Sequence, residues 1–279
     1  VYESFRRQKR RKILAGVAIT LGVGVATAMI AVATDIGDKI SRELRNYGAN
    51  LIVTPQEDTL DVQIGGVDLK PPSDGAYLSE ADLPKIKGMF WRNNIVGFAP
   101  MLPVSVRVGD DADAKNITLL GTYFSKRLTF GKENFATGVR ITHPWWKVRG
   151  AWPDDNSSDV LLGESLAANL SRNAGDEIEI AGQPHRIVGI LSTGGAEDNQ
   201  IVAPLVLAQQ IVGKPGAVRR LYVSALTKPE DALARRDPKS MNPEMFDRWY
   251  CSPYVASIAY QLQEAIPHSH AEQIRQIAQ

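Results

Sequence analysis

The sequence predicts an α+β protein: one N-terminal transmembrane helix extended as a stalk, a mixed α/β domain of short antiparallel strands, and a return along a C-terminal stalk helix. Three observations predict it. The run Ile13–Thr34 holds 22 residues without a charge. Beyond it, short β-rich runs alternate with Gly, Pro and Asp turns. Apolar stripes at helical spacing then stand at both ends of that region, from Ile36 to Tyr47 and from Ala271 to Ala278.

A hydrocarbon core about 30 Å thick needs ~20 helical residues, so 13–34 suffices to span it. Arg6, Arg7, Lys9, Arg10, Arg11 and Lys12 stand directly before it. Such a cluster is retained in the cytoplasm, which puts residues 1–12 on the cytoplasmic side of a bacterial inner membrane and the main domain in the periplasm or outside the cell. Ala26-Thr27-Ala28 offers a rival reading as a signal-peptide cleavage site, but the apolar run continues to Ala33, past an h-region of ~7–15 residues. Gly22 with Ala26 and Gly24 with Ala28 are small-residue pairs that permit close helix packing in a membrane.

Removing the six bases and Glu3 of positions 1–12 from the totals of 32 and 31 leaves 26 basic and 30 acidic residues. That mildly acidic remainder argues against nucleic acid as a partner. At 44% hydrophobic the chain can bury a real core. Cys251 is the lone cysteine, so no internal disulfide forms; burial is the expectation for it.

The stalk at 35–48 carries Ile36, Ile40, Leu44 and Tyr47 on one face and ends at Gly48, a natural C′ residue. A domain over 49–267 follows, with room for two subdomains, the second inserted at about 105–215. Its expected strands are Asn50–Thr54, Ile95–Val108 broken at Pro100 and Pro103, Asn116–Phe124, Asp159–Leu162, Glu177–Ile180, His185–Leu191, Ile201–Val202 and Val218–Ala225. Expected helices are Glu80–Lys87, Ser165–Ser171, Pro204–Val212 and one capped by Ser252 with Pro253 at N1, running to Ala265. Thr142–Ser158, with Trp145, Trp146 and Trp152, reads as a long ordered loop. A return stalk starts over 268–279, with Ile274 and Ile277 in its stripe.

Within the soluble part, Val160-Leu-Leu-Gly-Glu-Ser-Leu-Ala-Ala-Asn-Leu, then Ala174-Gly-Asp-Glu-Ile-Glu-Ile, then His185-Arg-Ile-Val-Gly-Ile-Leu and Ile201-Val-Ala-Pro-Leu-Val-Leu-Ala-Gln stand in order. With the junction Leu44-Arg-Asn-Tyr-Gly-Ala-Asn-Leu-Ile-Val, these resemble the periplasmic core of MacB-like and FtsX-like ABC transporter permeases. The resemblance covers most of the chain and only loosely 56–142. It implies a noncatalytic outer domain, no cofactor, a cytoplasmic ATP-binding subunit that hydrolyses ATP, and a second permease copy. It also implies three further spans, which nothing after Thr34 supplies, so the expectation is a permease cut before its second span. The motif residues Gly163, Gly175, Asp176 and Gly189 have structural readings: a turn at Gly175-Asp176, and a bulge or close backbone approach at Gly189.

Other residues weigh against chemistry. His268-Ser-His270 supplies two imidazoles where a metal needs more, and reads as a hinge. Asp110, Asp111 and Asp113 lack an EF-hand register and read, like Asp154–Ser158, as a solvated loop. Glu164 has no second carboxylate set beside it and suits a helix N-terminus. The three tryptophans fill a core more readily than they make a partner- or lipid-contacting patch. There is no Walker motif and no G-x-S-x-G. No catalytic, cofactor or metal residue is assigned.

The expected function is a permease subunit that couples cytoplasmic ATP hydrolysis to movement of its outer domain through paired stalks. The output would be export, lipoprotein handling or activation of a periplasmic partner. The alternative is a single-span anchored binding or adaptor domain with no ATPase.

Overall fold

A computed structural model describes residues 14, 16–29, 48–56, 63–64, 67–68, 76–108 and 115–274. The chain divides into two compact units, Val1–Arg45 and Asn46–Gln279. In the first, residues 16–29 are helical and exposed. No helix of the described residues is long and apolar enough to cross a membrane. The expected span over 13–34 runs past the described residues at both ends, and the basic segment and the stalk residues Ile36, Ile40 and Leu44 lie outside them. Within 16–29 the hydroxyls of Thr20 and Thr27 donate to the carbonyls of Gly16 and Val23, each at 2.8 Å, so the apolar helix leaves neither unpaired. A Cβ on Gly22 or Gly24 would meet nothing within 4 Å.

The second unit is built on one ten-stranded sheet. Its strands in chain order begin with β1 (Leu51–Pro55), whose alternating burial turns Leu51 and Val53 into the core. Gln63–Ile64 (β2) and Val67–Asp68 (β3) pair with each other, and β4 (Leu78–Ser79) starts the next segment. The 3-10 helix Glu80–Gly88 leads to β5 (Ile95–Val108), followed by β6 (Lys115–Thr122). Then come the hairpin β7 (Lys126–Phe130) and β8 (Glu133–Thr137), β9 (Lys147–Gly150) and β10 (Val160–Gly163). After the helix Glu164–Leu170 follow β11 (Glu177–Ile180), β12 (Gln183–Ser192) and β13 (Ile201–Pro204). The helix Leu205–Val212, β14 (Ala217–Val218) and β15 (Arg220–Ala225) precede the helices Pro243–Tyr250 and Val255–Ala265, and β16 (Ser269–Gln273) closes the order.

The sheet runs β11-β12-β10-β13-β6-β5-β15-β1-β16. Ile180 of β11 also pairs with Val108 of β5, so the first six strands curl back on themselves like a small barrel. The 14-residue β5 belongs to both parts: its second half pairs with β6, its first half with β15.

That strand corrects the expected break at Pro100 and Pro103. The Pro100 carbonyl accepts the Thr122 hydroxyl at 2.7 Å, so its ring nitrogen faces the edge where β6 has just ended. Strand alternation turns Pro103 toward the opposite edge, beyond the start of β15 at Arg220. Neither missing N–H costs a ladder bond, and proline is tolerated in such places.

Four further expectations change. Ser269–Gln273 is a strand and not the start of a stalk helix. Five residues gain more from an open sheet edge than from an isolated helix, whose nucleation is unfavourable. Ser269 and Ala271, two apart on one face, are buried, and the pattern opens to solvent at Glu272 and Gln273. Ile274 continues the ladder, while Ile277 and Ala278 lie outside the described residues. The last helix starts at Val255 with Tyr254 as N-cap; the Ser252 carbonyl takes the Tyr254 amide at 2.8 Å, which holds Pro253 in a turn. The expected loop 142–158 contains β9, which pairs with β12. Cys251 is exposed.

The hairpin β7–β8 and the helix Pro243–Tyr250 are among the elements not anticipated. The β7–β8 hairpin turns at Gly131, whose φ of +61 suits the first position of a tight hairpin. Helix Pro243–Tyr250 is capped by Asn242, which accepts the Met245 amide at 2.8 Å, with proline at its first turn.

Among the described residues three buried clusters fill the unit. The largest joins both parts of the sheet to the helices, through Leu51, Phe98, Leu119, Leu162 and Ile258 among others. A second holds Phe124, Trp146, Leu161 and Leu191, with Trp152 against it. A third surrounds Trp249 and Tyr254. Trp146 and Trp152 thus pack into the interior, while Trp145 is 45% exposed.

Candidate functional site

The strand by which the chain enters the sheet, β1, and the strand by which it leaves, β16, are antiparallel neighbours. Leu51 lies opposite Gln273 and Pro55 opposite Ser269. The Ile274 amide donates to the Asn50 carbonyl at 2.9 Å, so entry and exit meet at one end of one sheet.

Asn50 is the clasp of that junction. Its amide donates to the Val223 carbonyl at 3.0 Å. Its side chain donates to the Ala225 carbonyl and accepts the Ala225 amide, both at 2.9 Å. The carboxamide thereby does for β15 what a backbone would do, and extends the ladder one position. Asn50 was legible only as the first residue of a strand; a lone Asn before an apolar run carries no further signal.

Gly48 precedes it with φ +69, in the left-handed region. A Cβ there would collide with the Thr142 carbonyl and the Trp145 ring, and would sit 3.1 Å from Pro144. Glycine is required twice over, by conformation and by space. Ala49 follows, its amide bonded to the Thr142 carbonyl at 2.8 Å. The neighbouring His143 is held among Trp145, Trp146 and Tyr222, with ring centroids 5.1, 4.9 and 5.3 Å away. Its Nδ1 lies 2.8 Å from the Thr142 hydroxyl, and burial pushes its pKa down to about 4. The entering chain therefore docks on an aromatic ledge centred on a neutral histidine.

The other singled-out residues gather elsewhere. Gly163 precedes the helix Glu164–Leu170, and a Cβ there would collide with the backbone of Glu197 and Asp198. Gly189 sits where β10 and β12 shift register; a Cβ would lie 2.7 Å from Val148 and 2.8 Å from the Ala151 carbonyl. Gly175, at φ +103, donates to the Ile187 carbonyl at 2.7 Å, and the Asp176 carboxylate takes the Asn173 amide at 2.8 Å. These positions shape the barrel-like part and touch neither the junction nor one another's chemistry.

Asp155 is no solvated loop residue. Its carboxylate accepts the amides of Phe124 and Ser125 at 2.6 and 2.8 Å, and partial burial raises its pKa against the pull of those bonds. Among the described residues no group of His, Cys, Asp and Glu could hold a metal ion.

Residues 13–236 match the family described as the MacB-like periplasmic core domain. The chain belongs to this family. As a MacB-like core domain it is a component of the ABC-type transporter permeases. Among solved structures it is similar to the periplasmic region of MacB from Actinobacillus actinomycetemcomitans, at 13% identity and a TM-score of 0.50, covering 84% of this chain and 94% of that one. At that identity the likeness is one of fold. It is also similar to the extracellular domain of the noncanonic ABC-type transporter YknZ from Gram-positive bacteria, at 13% identity and a TM-score of 0.46, covering 81% and 99%. A comparison with curated proteins finds no match. In this MacB-like domain β16 lies beyond the matched residues, yet it completes the sheet that the matched strands begin.

Proposed function

We propose that this chain is the outer domain and first anchor of a permease, and that the β1–β16 junction passes membrane movement into the domain. One observation carries the reading: the entering and leaving strands are hydrogen-bonded neighbours, joined by Asn50 and Ile274 at 2.9 Å. Two segments attached to adjacent strands of one sheet move that sheet as a body, because shear between them would break backbone bonds.

On this reading Ile13–Thr34 spans the cytoplasmic membrane, packed through Gly22, Gly24, Ala26 and Ala28, and Ile36, Ile40 and Leu44 carry the stalk. Ile274 and Ile277 begin the return. A cytoplasmic ATP-binding subunit draws two permease copies together, and the periplasmic domain pushes or releases a partner, a lipoprotein or an exported molecule. The match to a permease core domain over 13–236 supports the setting.

Co-purification of a nucleotide-binding subunit with the chain, followed by Ile40→Asp and Ile274→Asp in the assembled transporter, tests it. Output should fall while ATP turnover continues and the domain stays folded. Unchanged output in both variants rules the lever out, and absence of any ATPase partner leaves an anchored adaptor domain.

A further inference from the structure

Among the described residues β16 pairs with β1 alone, so its other edge carries no strand; Ser269 and Ala271 are buried beside it and Gln273 is exposed. The bonds from Gln56 to His268 and from Ile274 to Asn50 fix which residues face β1: 268, 270, 272 and 274. The backbone N–H and C=O groups of Ser269, Ala271 and Gln273 then point to the open side. An edge of this kind is a template for another strand.

Beside that edge lies a cleft of about 430 Å³, walled by Trp249, Val255, Ala259 and Tyr260 and reaching Ala271 and Gln273. Its volume is in the range of binding clefts. Trp249 is 1% exposed, and its indole Nε1–H is the one buried side-chain polar atom among the described residues without a partner. An orphaned buried donor carries a desolvation penalty that an acceptor brought into the cleft would relieve. Glu230, Asp237 and Glu272 stand around the cleft against the single ammonium of Lys239. Arg235 offsets Glu230 only loosely, at 3.8 Å between exposed groups.

We propose that this edge and cleft take up an extended basic segment of a partner protein as an added strand beside β16. Backbone groups at Ala271 and Gln273 supply the ladder, apolar side chains of the segment lie along Val255, Ala259 and Tyr260, and its cations meet Asp237 and Glu272. An acceptor on the segment meets the Trp249 indole. Strand addition gives affinity through the main chain and selectivity through the pocket. Uptake of such a strand needs no membrane coupling, and most of the cleft is built from residues past the end of the family match at 236.

The test uses the full 279-residue chain and two labelled synthetic peptides, one alternating lysine with valine, the other glutamate with valine. The lysine peptide should bind at least about tenfold more tightly. It should slow amide exchange at Ala271 and Gln273, leaving His270 and Glu272 as they were. Glu272→Lys, an exposed change, should cost about fivefold in affinity. Trp249→Phe should cost about as much while the domain still melts cooperatively. Equal affinity for the two peptides, or binding without protection at Ala271 and Gln273, overturns the proposal. Protection of those amides without peptide, rising with protein concentration, assigns the edge to a second copy of the chain and also overturns it.

Discussion

The carbonyl of Asn50 accepts the amide of Ile274 at 2.9 Å, so residues far apart in the chain close one rung of a sheet. The Asn50 side chain adds two bonds to Ala225, so this one residue ties β1 to both β15 and β16. Asn50→Ala should lower unfolding free energy by about 1–3 kcal/mol, since the Ala225 amide and carbonyl lose their partners. Asn50→Asp should cost at least as much, because a carboxylate cannot donate to the Ala225 carbonyl. Chemical denaturation of the purified domain reads both.

Gly48→Ala should destabilise the domain by about 1–3 kcal/mol, from a left-handed backbone and a crowded Cβ together. Gly213→Ala, at a matching φ of +67 but with open space around it, should cost less. Equal losses at the two positions would show that contact with the Thr142–Trp145 ledge contributes nothing.

His143 makes a pH prediction with a definite sign. Its folded pKa of about 4 lies below the 6.5 of a free imidazole, so between those values the unfolded chain binds the proton more readily. Its contribution to stability is complete above pH 6.5 and falls as the pH drops toward 4, by about 3 kcal/mol at most. Melting curves at stepped pH should show the decline, and His143→Phe should flatten it.

Glu80 ties three elements. One carboxylate oxygen accepts the Tyr123 hydroxyl at 2.5 Å and the other accepts the Gln209 side-chain amide at 2.8 Å. Tyr123 and Gln209 are both buried, and burial, with the Glu80 contact adding to it, raises the Tyr123 pKa. Glu80→Ala should cost about 2–4 kcal/mol by stranding both donors. Glu80→Gln should cost less, since its carbonyl still accepts one of them. Urea denaturation of the two variants checks the order.

Much of the sheet could be read in advance because its signals are local. Val160–Gly163, Glu177–Ile180 and Gln183–Ser192 announce themselves by apolar runs punctuated at Gly163, Gly175 and Gly182. The family resemblance rested on that same stretch and agrees with the match over 13–236. Elements defined by distant partners were not legible. Pro100 and Pro103 read as breaks because nothing in their own neighbourhood tells which edge of β5 is paired. Ser269–Gln273 read as helix because Ala271, Ile274 and Ile277 share a helical spacing, whereas the free edge of β1 decided otherwise. Cys251 read as buried from residue type alone, although the end of helix Pro243–Tyr250 leaves it exposed.

What the sequence by itself determined was the charge asymmetry, the long apolar run, most short strands and the turns that glycine and aspartate impose, all properties of a few consecutive residues. Only the tertiary structure decided that entry and exit are neighbouring strands, that His143 sits neutral beneath Gly48, and that Trp249 is left with an unmet donor beside an open edge. The reason is physical: strand pairing and burial depend on groups brought together from opposite ends of the chain, and no local window contains both partners.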